Sequence, residues 1–122
     1  MVNLQSVPLR AVALVLALAL VANLFITGSR PEMAGLFPDP WDKVAHVSYY
    51  GALAALFWIA DAGRRPWLVA LVTIGVGAAD EWHQLDLPFR EASLWDLAAD
   101  AVGAALALAA MPRLSRALAA AR

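Results

Sequence analysis

Residues 80–100 read DEWHQLDLPFREASLWDLAAD, the one long polar interruption in the second half of a very apolar chain. Apolar segments flank it on both sides. Asp80 and Glu81 come several positions before the breaking residues Leu87-Pro88-Phe89, which puts them at the end of one helix. Asp96 and Asp100 follow Ser93, which puts them at the start of the next. Ser93-Leu94-Trp95-Asp96 has the spacing of a capping box, with Asp in place of Glu. Acids inside apolar helices are expensive and face partners or a wet cavity. The stretch therefore reads as a polar site built where two membrane helices meet.

The composition agrees. Of 122 residues, 62% are hydrophobic and 16% charged, against roughly 25% charged in an average soluble domain. A chain of this length suits one domain, here residues 1–122. The absence of cysteine excludes disulfides, thiolate metal sites and a cysteine nucleophile. A net charge of −1 argues against nucleic-acid binding.

Working outward, the third span is expected over about 66–84, opened by the turn Asp61-Ala62-Gly63-Arg64-Arg65-Pro66. The second is expected over about 41–60, with Asp39 as N-cap and Pro40 in its first turn. Residues 9–27 form a nearly unbroken apolar run interrupted only by Asn23, long enough to cross a hydrocarbon core of about 30 Å. Gly28 and Ser29 stop it. A cleaved signal peptide fits the same pattern. The run exceeds a typical signal core and its removal would leave an odd number of spans, so a retained helix is expected. The fourth span is expected over about 94–111, closed by Pro112. A basic cytoplasmic tail over 113–122 would lie on the membrane surface.

The expected fold is thus all-α: an integral membrane bundle of four transmembrane helices, up-down-up-down. Six of the nine Lys and Arg residues then share one side with the termini, which makes both termini cytoplasmic. Small residues four apart (Gly51 and Ala55, Gly75 and Ala79, Ala99 with Gly103 and Ala107) suggest seams where helix backbones approach. Trp41, Trp82 and Trp95 fall at outer span ends, as an aromatic belt does.

This orientation brings the chemistry-bearing residues to one outer face. Asp42, His46 and Tyr50 share a stripe at i, i+4, i+8, with Lys43 beside them. Asp80 and Gln84 share a face, with Glu81 one position away, and Arg90 lies in the connecting loop. Asp80 and Glu81, with His46, are the candidates for acid–base chemistry. Alternatively, Lys43 and Arg90 simply hold the acids. Asp42, Lys43, Tyr50, Gln84, Arg90, Asp96 and Asp100 are the candidate binding residues. Asp100 lies a full turn below the helix start, so capping does not explain it. His83 is read as lining a helix interface, and Asp86 and Glu91 as solvated loop charges. The chain has no H-E-x-x-H, G-x-S-x-G or P-loop, and no metal or other cofactor is expected.

DKVAHVSYYGAL, DEWHQ, and R-x-x-S-L-x-D-x-x-x-D-x-x-G from Arg90 to Gly103 together resemble the VanZ-like membrane protein family. The resemblance covers about 41–111 and falls on Asp42, Lys43, His46, Tyr50, Asp80, Glu81, Gln84, Arg90, Asp96, Asp100 and Gly103. One member of that family is associated with resistance to the glycopeptide teicoplanin. The resemblance implies a multi-pass protein of the cell membrane without supplying a reaction. Three functional readings stay open. The outer pocket binds or senses a lipid headgroup or cell-wall precursor; it is the site of a small membrane enzyme acting on a lipid-linked substrate; or its charges lock the helices of a structural, partner-binding protein.

Overall fold

A computed structural model describes residues 6–121. It is all-helical: α1 (Val7–Gly28), α2 (Trp41–Ala60), α3 (Pro66–Gln84) and α4 (Leu94–Ala120), with a short 3-10 turn at Pro31–Met33. No strand occurs among the described residues.

The boundaries follow from local chemistry. Pro8 lies in the first turn of α1, where its missing N–H costs nothing. Asp39 does not cap α2. Its side chain makes no cap bond, and Pro40 takes the N-cap position, while the Trp41 N–H donates to the Pro38 carbonyl at 2.8 Å. The α2–α3 turn is held from both sides. Gly63 has φ +66° and donates its N–H back to Trp58 O at 2.9 Å. A Cβ there would lie 2.5 Å from the Trp58 ring, so the position needs glycine for space as well as for conformation. Asp61 accepts from the Arg65 backbone N–H at 2.5 Å and from its guanidinium at 2.7 and 2.9 Å, tying the end of α2 to the start of α3.

Pro112 does not close the fourth helix. α4 runs through it to Ala120, so 113–120 continues the helix instead of forming a separate surface segment. Proline removes one hydrogen bond but keeps a helical φ. The alanine- and leucine-rich sequence on both sides is strongly helix-forming, and Met111 is buried beside Trp58 just before the proline.

α2 is the central helix. It packs most extensively on α4 and also touches α1 and α3. One apolar cluster joins Ala54 and Trp58 to Val69, Ala104 and Met111, and another joins Ala17 to Tyr50 and Leu53. The α2–α4 seam runs past two glycines, and Gly103 sets its closeness. A Cβ on Gly51 would lie 3.4 Å from Gly103 O, and one on Gly103 would lie 3.0 Å from Gly51 N and closer still to the Val47 carbonyl oxygen. The expected seam at Gly75 and Ala79 is absent. Both residues are exposed, and nothing lies within 4 Å of a Cβ at Gly75. The glycine that α3 turns inward is Gly77.

Two helices, α1 and α4, are long and apolar enough to cross a membrane. Their apolar side chains lie mainly outside: Val12, Val15, Leu18, Val102 and Leu106 are all exposed. α2 and α3 give up part of their apolar length to the polar residues that gather at one end of the molecule.

Candidate functional site

The end of α1, the start of α2, the end of α3 and the start of α4 meet at that end. Tyr49 Oη donates to Leu20 O at 2.6 Å, joining α2 to α1. Ser29 Oγ and His83 Nε2 share a hydrogen bond of 2.9 Å, joining the end of α1 to α3. The Ser93 N–H donates to Glu81 Oε2 at 2.6 Å, joining the α4 N-cap to α3. His83 thus lines an interface as expected, with Phe25 packed against its ring.

The capping box forms by half. Ser93 Oγ accepts from the Asp96 N–H at 3.3 Å. Glu81, from another helix, receives the N–H that Asp96 would take in a reciprocal box. Asp96 is freed to face α2, where Lys43 Nζ lies 2.6 Å from Asp96 Oδ1 and 2.5 Å from Asp42 Oδ2. Lys43 therefore bridges Asp42 and Asp96 and does not hold Asp80 and Glu81.

One turn further in, His46 Nδ1 and Asp100 Oδ1 share a hydrogen bond of 2.7 Å. His46 Nε2 lies 3.8 Å from Asp96 Oδ2. The Tyr50 ring lies parallel to the imidazole, with centroids 6.2 Å apart, as their i, i+4 spacing anticipated. Asp80 is 3% exposed and accepts from Gln84 Nε2 at 3.0 Å. Arg90 makes no ion pair with an acid among the described residues; its guanidinium approaches Met33 O at 3.5 Å.

Several buried polar atoms stay without a hydrogen-bond partner: Tyr50 Oη, Glu81 Oε1 and Asp100 Oδ2. Native interiors leave few such atoms, and each asks for an explanation. Above them opens a cavity of about 370 Å³. Its polar wall includes Asn23, Asp42, His46, Tyr50, Asp80, Gln84, Arg90 and Asp96, and its apolar wall includes Leu24, Met33, Leu36, Phe37 and Phe89. Glu81 and Asp100 sit behind the polar wall. Lys43 stands beside it, held by two acids that line it.

The structure thus gathers every candidate residue at one end of the helices. It also adds residues the sequence reading left out. Asn23 and Thr27 form a polar pair on α1, with Thr27 Oγ1 donating to Asn23 Oδ1 at 2.8 Å, and both line the cavity. The lone Asn23 in an apolar run, four residues before a threonine, was the available signal. Gly77 was not singled out, yet a Cβ there would lie 2.6 Å from Asp100 Oδ2, so its hydrogen makes room for that carboxylate. No signal marked the loop residues Met33, Leu36 and Phe37 as a wall.

In comparisons with known proteins, no family model, curated protein or solved structure matches this chain.

Proposed function

We propose that the chain is a four-span protein of the cell membrane, with both termini cytoplasmic, and that its outward-facing cavity binds the polar head of a lipid or lipid-linked cell-wall precursor. The observation that carries this reading is the cavity itself. It is about 370 Å³, within the range of about 300–1,000 Å³ usual for small-molecule sites. Its polar residues lie mostly on the helices and its apolar ones mostly on the connecting segments, the two environments an amphiphile presents at a membrane interface. A cavity of this size takes a headgroup, with the rest of the molecule left in the bilayer.

The membrane placement draws support from the exposed apolar faces of α1 and α4. Trp41, Trp82 and Trp95 are exposed at the cavity end and Trp67 at the other, as paired aromatic belts would be. Arg10, Arg64 and Arg65 gather at the end opposite the cavity, where Arg10 Nε donates to Ala60 O at 3.0 Å. The segments DKVAHVSYYGAL, DEWHQ and the Arg90–Gly103 pattern extend the reading, through their resemblance to the VanZ-like family, to glycopeptide susceptibility.

A second reading, a membrane enzyme, is favoured by one contact. Asp100 holds one nitrogen of His46, leaving the other as a positioned proton acceptor. The locking role draws on the inter-helix contacts of Lys43 with Asp96, His46 with Asp100 and Glu81 with the Ser93 N–H, while the open cavity and the second oxygens of Glu81 and Asp100, buried without partners, weigh against it.

The test is native mass spectrometry of the protein released from mild detergent, with the adducts identified after extraction. A discrete lipid species on the wild type, lost in Gln84→Ala and Arg90→Ala, is the expected result. A wild type that carries no lipid, or the same adducts on all three proteins, contradicts it. Conversion of the identified lipid by the wild type, abolished in His46→Ala, would replace binding with catalysis.

A further inference from the structure

We infer that His46, Glu81 and Asp100 form a site for one divalent transition-metal cation of the Zn²⁺ or Mn²⁺ class, set behind the floor of the cavity. The three residues come from α2, α3 and α4. Each offers one donor atom, and the three atoms all lie within 4.8 Å of one another. A tetrahedral cation with ligands at about 2.1 Å draws its donors to about 3.4 Å apart, so a small closing movement of the side chains completes the set.

Burial and unmet bonding point the same way. Asp100 is 0% exposed and Glu81 8%, and each retains a carboxylate oxygen with no hydrogen-bond partner. The bonds they do make leave that capacity free, since Glu81 uses its other oxygen on the Ser93 N–H and Asp100 uses its other oxygen on His46. The Asp100 carboxylate is seated in this position by Gly77, where a Cβ would lie 2.6 Å from Oδ2. No lysine neutralises this group, because Lys43 is taken by Asp42 and Asp96. Buried charges are paired or coordinate metals, and a cation here meets both needs together.

The donor set selects the metal. One imidazole with two carboxylates is too nitrogen-rich for Mg²⁺ or Ca²⁺, which take oxygen ligands, and suits Zn²⁺ or Mn²⁺. Three protein ligands leave a coordination position open, and of the three His46 also lines the cavity. The metal site stands whichever ligand the cavity holds.

The test uses the tag-free full chain in detergent, stripped with chelator, then titrated calorimetrically with Zn²⁺ and with Mn²⁺ alone. Metal content after dialysis is read by mass spectrometry. One equivalent of metal per chain is expected, with Mg²⁺ binding far more weakly. Glu81→Gln and Asp100→Asn each lower the affinity by at least about tenfold, while Asp61→Asn, at the opposite end, leaves it unchanged. As a readout that needs no variant, Cu²⁺ bound to the wild type is also examined by electron paramagnetic resonance, where coupling to one imidazole nitrogen is expected. No stoichiometric binding, equal affinity in all the variants, or a bound ion without nitrogen coupling overturns the site. Lipid retention that survives chelation in a protein binding no metal overturns this inference and leaves the headgroup reading standing.

Discussion

Gly103→Ala tests the helix crossing that positions every residue of the site. The added methyl would lie 3.0 Å from Gly51 N and from the Val47 carbonyl carbon, and closer still to the Val47 oxygen. All three are backbone atoms in the middle of α2, so no side chain can swing aside. The helices must part by roughly 0.5–1 Å, which forfeits about a quarter to a half of the dispersion energy between each pair of atoms drawn apart. Tyr50, Leu53, Ala54, Ala99 and Ala104 are buried around this seam and would feel it. Overpacking of this kind costs about 1–3 kcal/mol, occasionally more. Replacing glycine by alanine in a helix returns up to about 1 kcal/mol. A net loss of about 1–2 kcal/mol is expected. Two controls calibrate it. Gly51→Ala meets the Gly103 backbone no closer than 3.4 Å, an ordinary contact, and should be close to neutral. Gly75→Ala enters open space and should stabilise by about 0.5–1 kcal/mol. The assay is unfolding of the purified proteins in detergent, followed by far-ultraviolet circular dichroism. Gly103→Ala as stable as Gly75→Ala would refute the packing of α2 on α4 described above.

Two further outcomes are expected. Gly77→Ala places a Cβ 2.6 Å from Asp100 Oδ2, so the carboxylate must turn and loosen its bond to His46. Thermal unfolding should register a loss of about 1–3 kcal/mol, and metal titration a weakened site; a variant with wild-type stability and metal affinity would contradict the geometry. At the other end of the molecule, burial pushes the Asp61 carboxyl up, and the hydrogen bonds from Arg65 outweigh it and leave the group below its ordinary value. A carboxylate with a lowered folded pKa stabilises above its unfolded value, about 3.9, and that contribution disappears as pH falls through the folded value. Asp61→Asn should therefore be less stable than wild type at neutral pH, by at most about 1 kcal/mol given the exposed arginine, and the gap should close in acid. Melting curves recorded from neutral to acid pH decide it, and a gap that stays constant would show that the pair is not its source.

The sequence carried most of the local structure, because helix periodicity and punctuation are local. Asp80 with Gln84, and Asp96 with Asp100, are one turn apart, so their faces follow from the 3.6-residue repeat. Ser93 and Gly63 announce a start and a stop by their own chemistry. The partner of each acid was not legible, since partners come from other helices and depend on rotation and crossing. Asp42 is the chain neighbour of Lys43, but the second acid could equally have been Asp80 or Glu81, and it is Asp96 because α4 packs on α2 beside Gly51 and Gly103. α3 shows Gly77 to the interior because Gly77 shares a helical stripe with Val69, Thr73, Asp80 and Gln84, all buried, and Gly75 and Ala79 lie off that stripe. The metal-ligand set was invisible for a related reason. His46, Glu81 and Asp100 are far apart in the chain and make no spacing motif, so only their convergence defines them. Pro112 reads as a stop, yet the helix-forming run on both sides outweighs a single breaker, and α4 continues through it.

The central claim is that the polar cluster serves binding and is not what holds the helices together. The most direct measurement is the unfolding free energy of Asp80→Asn, Glu81→Gln and Asp100→Asn, in chelator-treated, delipidated detergent samples. Stability equal to or above wild type is expected for Asp80→Asn and Glu81→Gln, and at most a small loss for Asp100→Asn, since removing a buried charge short of partners relieves the fold. Losses of about 3–5 kcal/mol in all three, the size expected when a buried ion pair is broken, would contradict that claim and make the cluster a structural lock.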